Sequence, residues 1–354
     1  VAADSTFDLI KTLTELPGPV GLEHDVQDWL ADRWGAFCPE VRRTRVDNVL
    51  ARVGGSGEKL LLLGHADEIC YVVKSISEDG FVFFWPYYAD TVGRPQKTMN
   101  PLGHPALIVT GNGNVEGIFA TASGHTVSPA ARADLKYEWN EWWIDLGLRS
   151  RDEVLALGVH PGCKIIWNPP TRRLGLHAIT GKAMDDRVAL AIVTMVGERL
   201  AGRDDLRFEV WLGSSVQEEN GLIGASSFPD EGDFDRCIAL DVALVGDVPG
   251  VEARDFPCKL GAGPVIVYSD SSVHYSWRFT CELVASAHAN GIPVQQAVFQ
   301  RYGSDGASTF KRGVATALVT YPTRYTHSPI ETIDERDIEA TVDLLVAYAT
   351  GQTR

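Results

Sequence analysis

The 354-residue chain carries 32 Lys and Arg against 47 Asp and Glu, a formal net charge of −15, with 45% hydrophobic residues. That balance argues against nucleic acid or an anionic membrane surface as a partner, and the length suits one large α/β domain plus a smaller one. No apolar run approaches the length of a bilayer span, and VAADSTFDLIKTL lacks the basic start and apolar core of a secretion signal. The six cysteines (Cys38, Cys70, Cys163, Cys237, Cys258, Cys281) are scattered without a CxxC pair, so reduced thiols in a cytoplasm are expected.

Phe7, Ile10 and Leu13 recur every three residues, and Val26, Trp29 and Leu30 recur at i, i+3 and i+4. Both spacings predict amphipathic helices, separated by the breaker LPGPVGLE. DNVLARV and KLLLLGH, joined by GGSGE, predict a hairpin. From Ile69 to Pro170 the character changes to short β-like runs (YVVKSIS, FVFFW, ALIVT, VEGIFAT, CKIIW) broken by turn residues. One helix is expected there, N-capped by Ser150 and closed at Gly158. Residues 69–170 are therefore expected to be a β-rich insertion into a discontinuous framework of residues 1–68 and 171–354. After GKAMDDRVA the α/β alternation returns, with an apolar helix over Val188 to Leu200 and strands in RFEVWLGSSV, CIALDV and VATALVTYP. A last helix carries the stripe Ile338, Val342, Leu345 and Val346. The predicted fold class is α/β: a central mixed, mostly parallel sheet flanked by helices, with an inserted β-rich domain.

Residues suited to binding a metal fall at comparable places in this pattern. LLLLGHADE ends in His65 and Asp67, FEVWLGSSVQEE in Glu218 and Glu219, and CIALD in Asp241. ALVTYPTRYTH ends in His327, and Asp185 and Asp186 sit in a turn before a helix. Each has an ordinary reading taken alone: a loop histidine, a helix-capping acid, a strand-end turn. In an open α/β sheet, however, ligands gather at the carboxyl ends of the strands, so these groups can converge on one crevice. Two histidines with several carboxylates form a mixed N/O set that suits Zn, Co or Mn. Adjacent acids such as Glu218 and Glu219 repel unless a cation lies near. One of them can ligate the metal while the other takes a proton from the attacking water.

GHADEI, GKAMDDRVA, SVQEENGLIGA, ALDVALVGDVPG, GSDGA and PTRYTHSP occur in this order, with GPVGLE before them and LGVHPG inside the insertion. In these motifs the chain resembles the M42 metallo-aminopeptidases over nearly its full length. The resemblance implies a dinuclear peptidase domain interrupted by a barrel or PDZ-like domain used for assembly into a large homo-oligomer. It implies one or two divalent ions per subunit: His65 and Asp241 on one, Glu219 and His327 on the other, and Asp185 bridging. Glu218 would be the general base, Asp67 would orient His65, and Asp186 would follow a cis peptide bond.

The chain departs from that pattern at several places. Cys70 stands where the family has a small residue. Arg301, Tyr302 and Ser304 replace a glycine-rich run before Asp305, and His125 lies where the family has a loop reaching a neighbouring subunit. The insert loop WPYYADTVGRPQKTMNPLG is longer and more aromatic than expected. Arg301, Tyr302, Asp305 and Arg324 are therefore candidate substrate contacts, with an arginine pairing a carboxylate and an aromatic stacking on a ring. The leading expectation is hydrolysis of an N-terminal peptide bond. The alternative is a small amine or amide substrate, as in a related aminohydrolase that acts on nitroanthranilate. A non-catalytic assembly protein ranks last, because no expected ligand is missing.

Overall fold

The computed structural model describes residues 5–87, 99–128 and 138–351. The chain divides into two compact units, one of Val1–Asp67, Thr171–Thr326 and Glu331–Arg354, the other of Glu68–Pro170 and His327–Ile330. In chain order, helices α1 (Thr6–Glu15) and α2 (His24–Gly35) precede strands β1 (Glu40–Arg43), β2 (Val49–Gly54) and β3 (Lys59–His65). Next come β4 (Cys70–Ile76), β5 (Val82–Tyr87), β6 (Pro105–Thr110), β7 (Gly113–Thr121), β8 (Trp142–Asp145), α3 (Arg151–Ala156) and β9 (Lys164–Trp167). Then follow β10 (Arg172–Leu174), β11 (Ala178–Gly181), α4 (Met184–Leu200), β12 (Glu209–Ser215), α5 (Phe228–Gly232) and β13 (Arg236–Leu244). The chain closes through β14 (Val265–Ser269), α6 (Trp277–Ala289), β15 (Gln295–Val298), α7 (Asp305–Lys311), β16 (Ala315–Arg324), β17 (Glu331–Asp334) and α8 (Glu335–Thr350).

In the first unit the strands run in the order β1-β2-β12-β3-β13-β16-β17-β11-β10, with β14 paired to β16 and β15. The four central strands β12, β3, β13 and β16 are mutually parallel, and antiparallel strands flank them. β3 is buried on both faces, as its continuous leucines demand. Leu60 and Leu62 enter a core shared with α1, α2, α4 and α8, and Leu61 and Leu63 enter another with Phe228 and Phe234.

The expected hairpin between β2 and β3 does not form. β12 lies between them, antiparallel to β2 and parallel to β3. A Leu-rich strand buried on both faces gains more from a neighbour on each edge than from one tight turn. Gly55 makes the crossing possible: its φ is +79°, and a Cβ there would lie 2.0 Å from the carbonyl oxygen of Phe208 at the approach to β12.

Both predicted N-terminal helices are present. In α1, the Ser5 side chain accepts from the Asp8 N–H, and Leu9, Ile10 and Leu13 are buried. The free carbonyls at the end of α1 meet a cation from another helix. Arg187, wholly buried in α4, donates to the carbonyls of Leu13 (2.8 Å), Leu16 (2.9 Å), Gly18 (3.4 Å) and Ala66 (2.7 Å). Taking a guanidinium out of water costs several kcal/mol, roughly, and these carbonyls offset it. One side chain thereby ties α1 and the entry loop to the residue after His65.

The second unit is a closed barrel, β4-β5-β8-β7-β6-β9, which resolves the two expected forms of the insertion in favour of the barrel. Neighbouring strands in it are antiparallel, and closure leaves no free sheet edge. Its core is aromatic: Tyr71 packs against Phe84, Phe119, Trp139 and Trp167 with ring centroids 5.0 to 5.8 Å away. The helix expected after Ser150 is α3, with the Ser150 side chain accepting from the Glu153 N–H. β8 is an additional strand beyond those expected; its WWID run is only four residues long.

Replacing Arg187 with Leu strands these buried carbonyls. It should cost more than about 3 kcal/mol of stability, read as a lower urea midpoint at unchanged slope. A loss within experimental error would show that α1 is held by other contacts.

Candidate metal centre

β3 ends at His65, and its parallel neighbour β12 ends in register with it, Ser215 opposite His65. Glu218 and Glu219 therefore begin just beyond the same edge of the sheet. On the other side of β3, β13 stays paired only as far as Ala239 opposite Leu63, then continues beside β16 to Leu244. Asp241 is thus a mid-strand residue of β13, level by that register with His65 at the end of β3, not the strand end that CIALD alone implied. Asp185 and Asp186 open α4, and the peptide bond between them is cis.

These elements bring two groups of ligand atoms together. His65, Asp185, Asp186 and Asp241 each place one such atom within 4.8 Å of the others, and so do Asp185, Glu219 and His327. Asp185 belongs to both. The Nε2 of His65 lies 3.2 Å from Asp185 Oδ1 and 3.8 Å from Glu218 Oε2, while its Nδ1 lies 3.3 Å from Asp67 Oδ1. With a proton on Nδ1 facing Asp67, Nε2 presents a lone pair to the cluster.

Some of the acids are committed to protein donors. Asp67 accepts from the backbone N–H groups of Glu218 and Glu219, both at 2.9 Å. Asp186 accepts from the His65 N–H at 3.0 Å and from the Tyr321 hydroxyl at 2.6 Å. Glu331 accepts from the Asp185 N–H at 2.9 Å. Asp186 is thus spatially part of the first ligand group, yet both its oxygens hold the frame. Tyr321 and Glu331 escaped the sequence reading. Neither carries a spacing signal, since Tyr321 meets Asp186 from 135 residues away.

Burial pushes the carboxyl pKa of Glu218, Asp186 and Asp241 well above the carboxylate range, and neighbouring acids push it further, while His65 pulls it down. Burial disfavours the imidazolium of His65, but Glu218, Asp186, Asp185 and Asp67 together raise its pKa well above the usual value. Two like charges 4 Å apart repel by about 4 kcal/mol at an effective dielectric constant near 20. One imidazolium cannot balance this many acids. A buried set of imidazole nitrogens and carboxylate oxygens is what a divalent ion of the Zn, Co or Mn type requires, so the residues fit such a group.

The other expected contacts are placed as follows. Asp305 is buried at the start of α7, where Ser215 Oγ donates to its Oδ2. Arg324 is paired through two bonds with Asp247, 3.0 and 2.7 Å. Tyr302 is half-buried and its hydroxyl donates to the Val242 carbonyl at 2.8 Å. Arg301 is exposed with a φ of +56°, its N–H donating to Ser271 Oγ at 2.6 Å. Cys70 is buried and His125 exposed. Residues 88–98 of the insert loop lie outside the described residues.

Residues 47–344 match the family model of the M42 glutamyl aminopeptidases. The chain is 28% identical over 345 residues to a lysyl aminopeptidase of Pyrococcus furiosus, with 96% of each chain covered. It is similar to the crystal structure of a TET aminopeptidase from a marine sediment archaeon of the Thaumarchaeota. There the TM-score is 0.89 at 28% identity, covering 98% of this chain and 96% of that one. It also matches the TET1 peptidase of Pyrococcus horikoshii, which can assemble into a tetrahedron or a large octahedral shell. That TM-score is 0.84 at 25% identity, covering 98% and 99% of the two chains.

Asp67→Ala releases two N–H groups and the imidazole together. It should weaken Zn2+ binding about 10- to 100-fold in competition with a chromogenic chelator; unchanged affinity would remove Asp67 from the ligand-orienting set.

Proposed function

The chain belongs to the M42 glutamyl aminopeptidase family, and on that premise we propose that it is a divalent-metal-dependent aminopeptidase that releases N-terminal residues from peptides. The observation that carries this reading is the pair of ligand groups sharing Asp185, with Glu218 beside them. His65 and Asp241 would hold one ion, Glu219 and His327 the other, and Asp185 would serve both. Bound there, divalent ions supply Lewis acidity, which acidifies the water nucleophile and polarises the scissile carbonyl.

The remaining work falls to the chain. Glu218 accepts the proton of the attacking water as its oxygen bonds to the carbonyl carbon, then returns it to the amine as the C–N bond breaks. Burial makes its carboxylate a stronger base than an exposed glutamate. Asp67 holds the backbone of both Glu218 and Glu219 while its Oδ1 faces His65. Asp186 fixes the end of β3 through the His65 N–H.

The small-amine alternative rested on Arg301 or Arg324 pairing with a carboxylate and on Tyr302 or the insert-loop aromatics stacking on a ring. Asp247 engages Arg324, the Tyr302 hydroxyl donates to the Val242 carbonyl and Arg301 is exposed, so among the described residues nothing favours it. The relatives' assemblies and the separate barrel support a large homo-oligomer built through that unit. Among the described residues no helix is long and apolar enough to cross a membrane. We take the working compartment to be the cytoplasm.

Glu218→Gln keeps the size of the side chain and removes the base. On a panel of aminoacyl-anilides, kcat should fall about 100- to 10,000-fold while zinc content and urea midpoint stay at the parent values. Turnover near the parent rate would assign the base elsewhere. A parent chain that is inactive on anilides and short peptides after metal reconstitution would overturn the aminopeptidase reading itself.

A further inference from the structure

The segment carrying Glu218 and Glu219 leaves the sheet at Ser215 in a conformation its residues do not favour. Gln217 has a φ of +54°, a left-handed geometry that costs a side-chain-bearing residue about 1–3 kcal/mol and persists only where the surroundings impose it. The surroundings here can be read donor by donor. The N–H of Val216 donates to Asn48 Oδ1 at 3.0 Å, that of Gln217 to Glu23 Oε1 at 3.1 Å, and those of Glu218 and Glu219 to Asp67 at 2.9 Å each. Four consecutive backbone donors thus end on side chains from three distant parts of the chain. The carbonyls of the same turn are also engaged. Val216 O accepts from Gly224, Gln217 O from Ile223, and Glu218 O from Gly221 and Leu222. Gly224 is needed for that approach, since a Cβ there would lie 2.3 Å from Val216 O.

Asp67 belongs to the metal-site motif; Glu23 does not. Glu23 is buried, and its backbone opens α2 while its Oε1 accepts from Gly21 N–H at 2.7 Å as well as from Gln217. One residue turn further along α2, Gln27 Nε2 donates to Ser214 O at 3.2 Å, so the start of α2 is fastened to the end of β12 at two points. Gln217 is the strained residue immediately before Glu218, and Glu23 is the acceptor of its N–H.

We propose that Glu23 is a positioning residue for proton transfer: by accepting the Gln217 N–H it holds the strained turn that aims Glu218 at the metal centre. This rests on Glu218 being the base. The role belongs to an acceptor oxygen at that distance from α2. Glutamine supplies one, alanine does not, and aspartate is a methylene too short to reach both Gly21 and Gln217.

The test compares Glu23→Ala, Glu23→Gln and Glu23→Asp in the full Zn2+-reconstituted chain, following anilide turnover, zinc content, urea midpoint and amide exchange across residues 214–222. Glu23→Ala should lower kcat about 10- to 100-fold with KM within about twofold and zinc content unchanged. Its Gln217 amide should exchange faster. Glu23→Gln should stay within about threefold of the parent kcat and keep the parent exchange pattern. If Glu23→Ala does not fold, Glu23→Asp carries the same expectation as Ala. Parent-like kcat in the Ala and Asp variants overturns the proposal, as does a Gln variant as impaired as Ala, or a loss of kcat with unchanged exchange. A parent chain silent on anilides defeats the aminopeptidase reading separately, and the exchange measurement still decides whether Glu23 holds the turn.

Discussion

The imidazole of His65 sits among Asp67, Asp185, Asp186, Glu218 and Asp241, and all of them are buried. Carboxylates in such a place repel one another and have lost their water, so each must find a donor or share a cation. The cluster divides along that line. Asp67 and Asp186 spend both oxygens on N–H and O–H donors, and Glu331 spends one on Asp185. The acids committed to the frame fix where the others can be. Asp185 is held through its backbone N–H, and its carboxylate belongs to both groups of ligand atoms. The same electrostatic problem that makes the site expensive to fold makes it compatible with a divalent cation.

The scaffold answers the constraint by register rather than by loop length. His65 and Ser215 are opposite each other on parallel strands, and the register of β13 on the other side of β3 brings Asp241 level with His65. A slip of one residue in either pairing would turn these side chains to the other face of the sheet. Arg187 adds a second lock, because the residue that caps α1 also grips Ala66, next to His65. Stability of the N-terminal helix and geometry of the metal centre are therefore coupled through one guanidinium. Inserting β12 between β2 and β3 brings Asn48, at the entry to β2, beside the turn that follows β12.

Much of this was legible in the sequence. The helices α1, α2 and α8 followed from apolar spacing, α3 from its serine cap, and the end of β3 from where His65 interrupts an apolar run. The barrel appeared as a change from mixed to short β-like segments, although spacing alone could not choose between a barrel and a PDZ-like form. What stayed hidden was non-local. A five-residue link of Gly, Ser and Glu reads as a hairpin turn, and nothing within it signals that a strand from 150 residues later will enter the gap. Tyr321 and Glu331 look like ordinary strand residues, because what defines them is a backbone or carboxylate partner far away in sequence. The partners of Arg324 and Tyr302, Asp247 and the Val242 carbonyl, are tertiary too and leave no mark in the local sequence.

Two of the positions where the chain was expected to depart from the family pattern lie on a connection rather than on a strand or helix. Arg301 and Tyr302 sit on the connection between β15 and α7, stitched to Ser271 on another connection by the N–H groups of both residues. The proposed ligands sit at strand ends, at a helix start and on turns whose backbone groups are individually bound. Connections tolerate exchange because few buried groups depend on their side chains, whereas a ligand held by register and paired donors tolerates almost none. Segments such as 299–304 can therefore change in sequence more readily than the turns around His65. The boundary between the two is physical: it runs where backbone donors stop being answered by buried carboxylates.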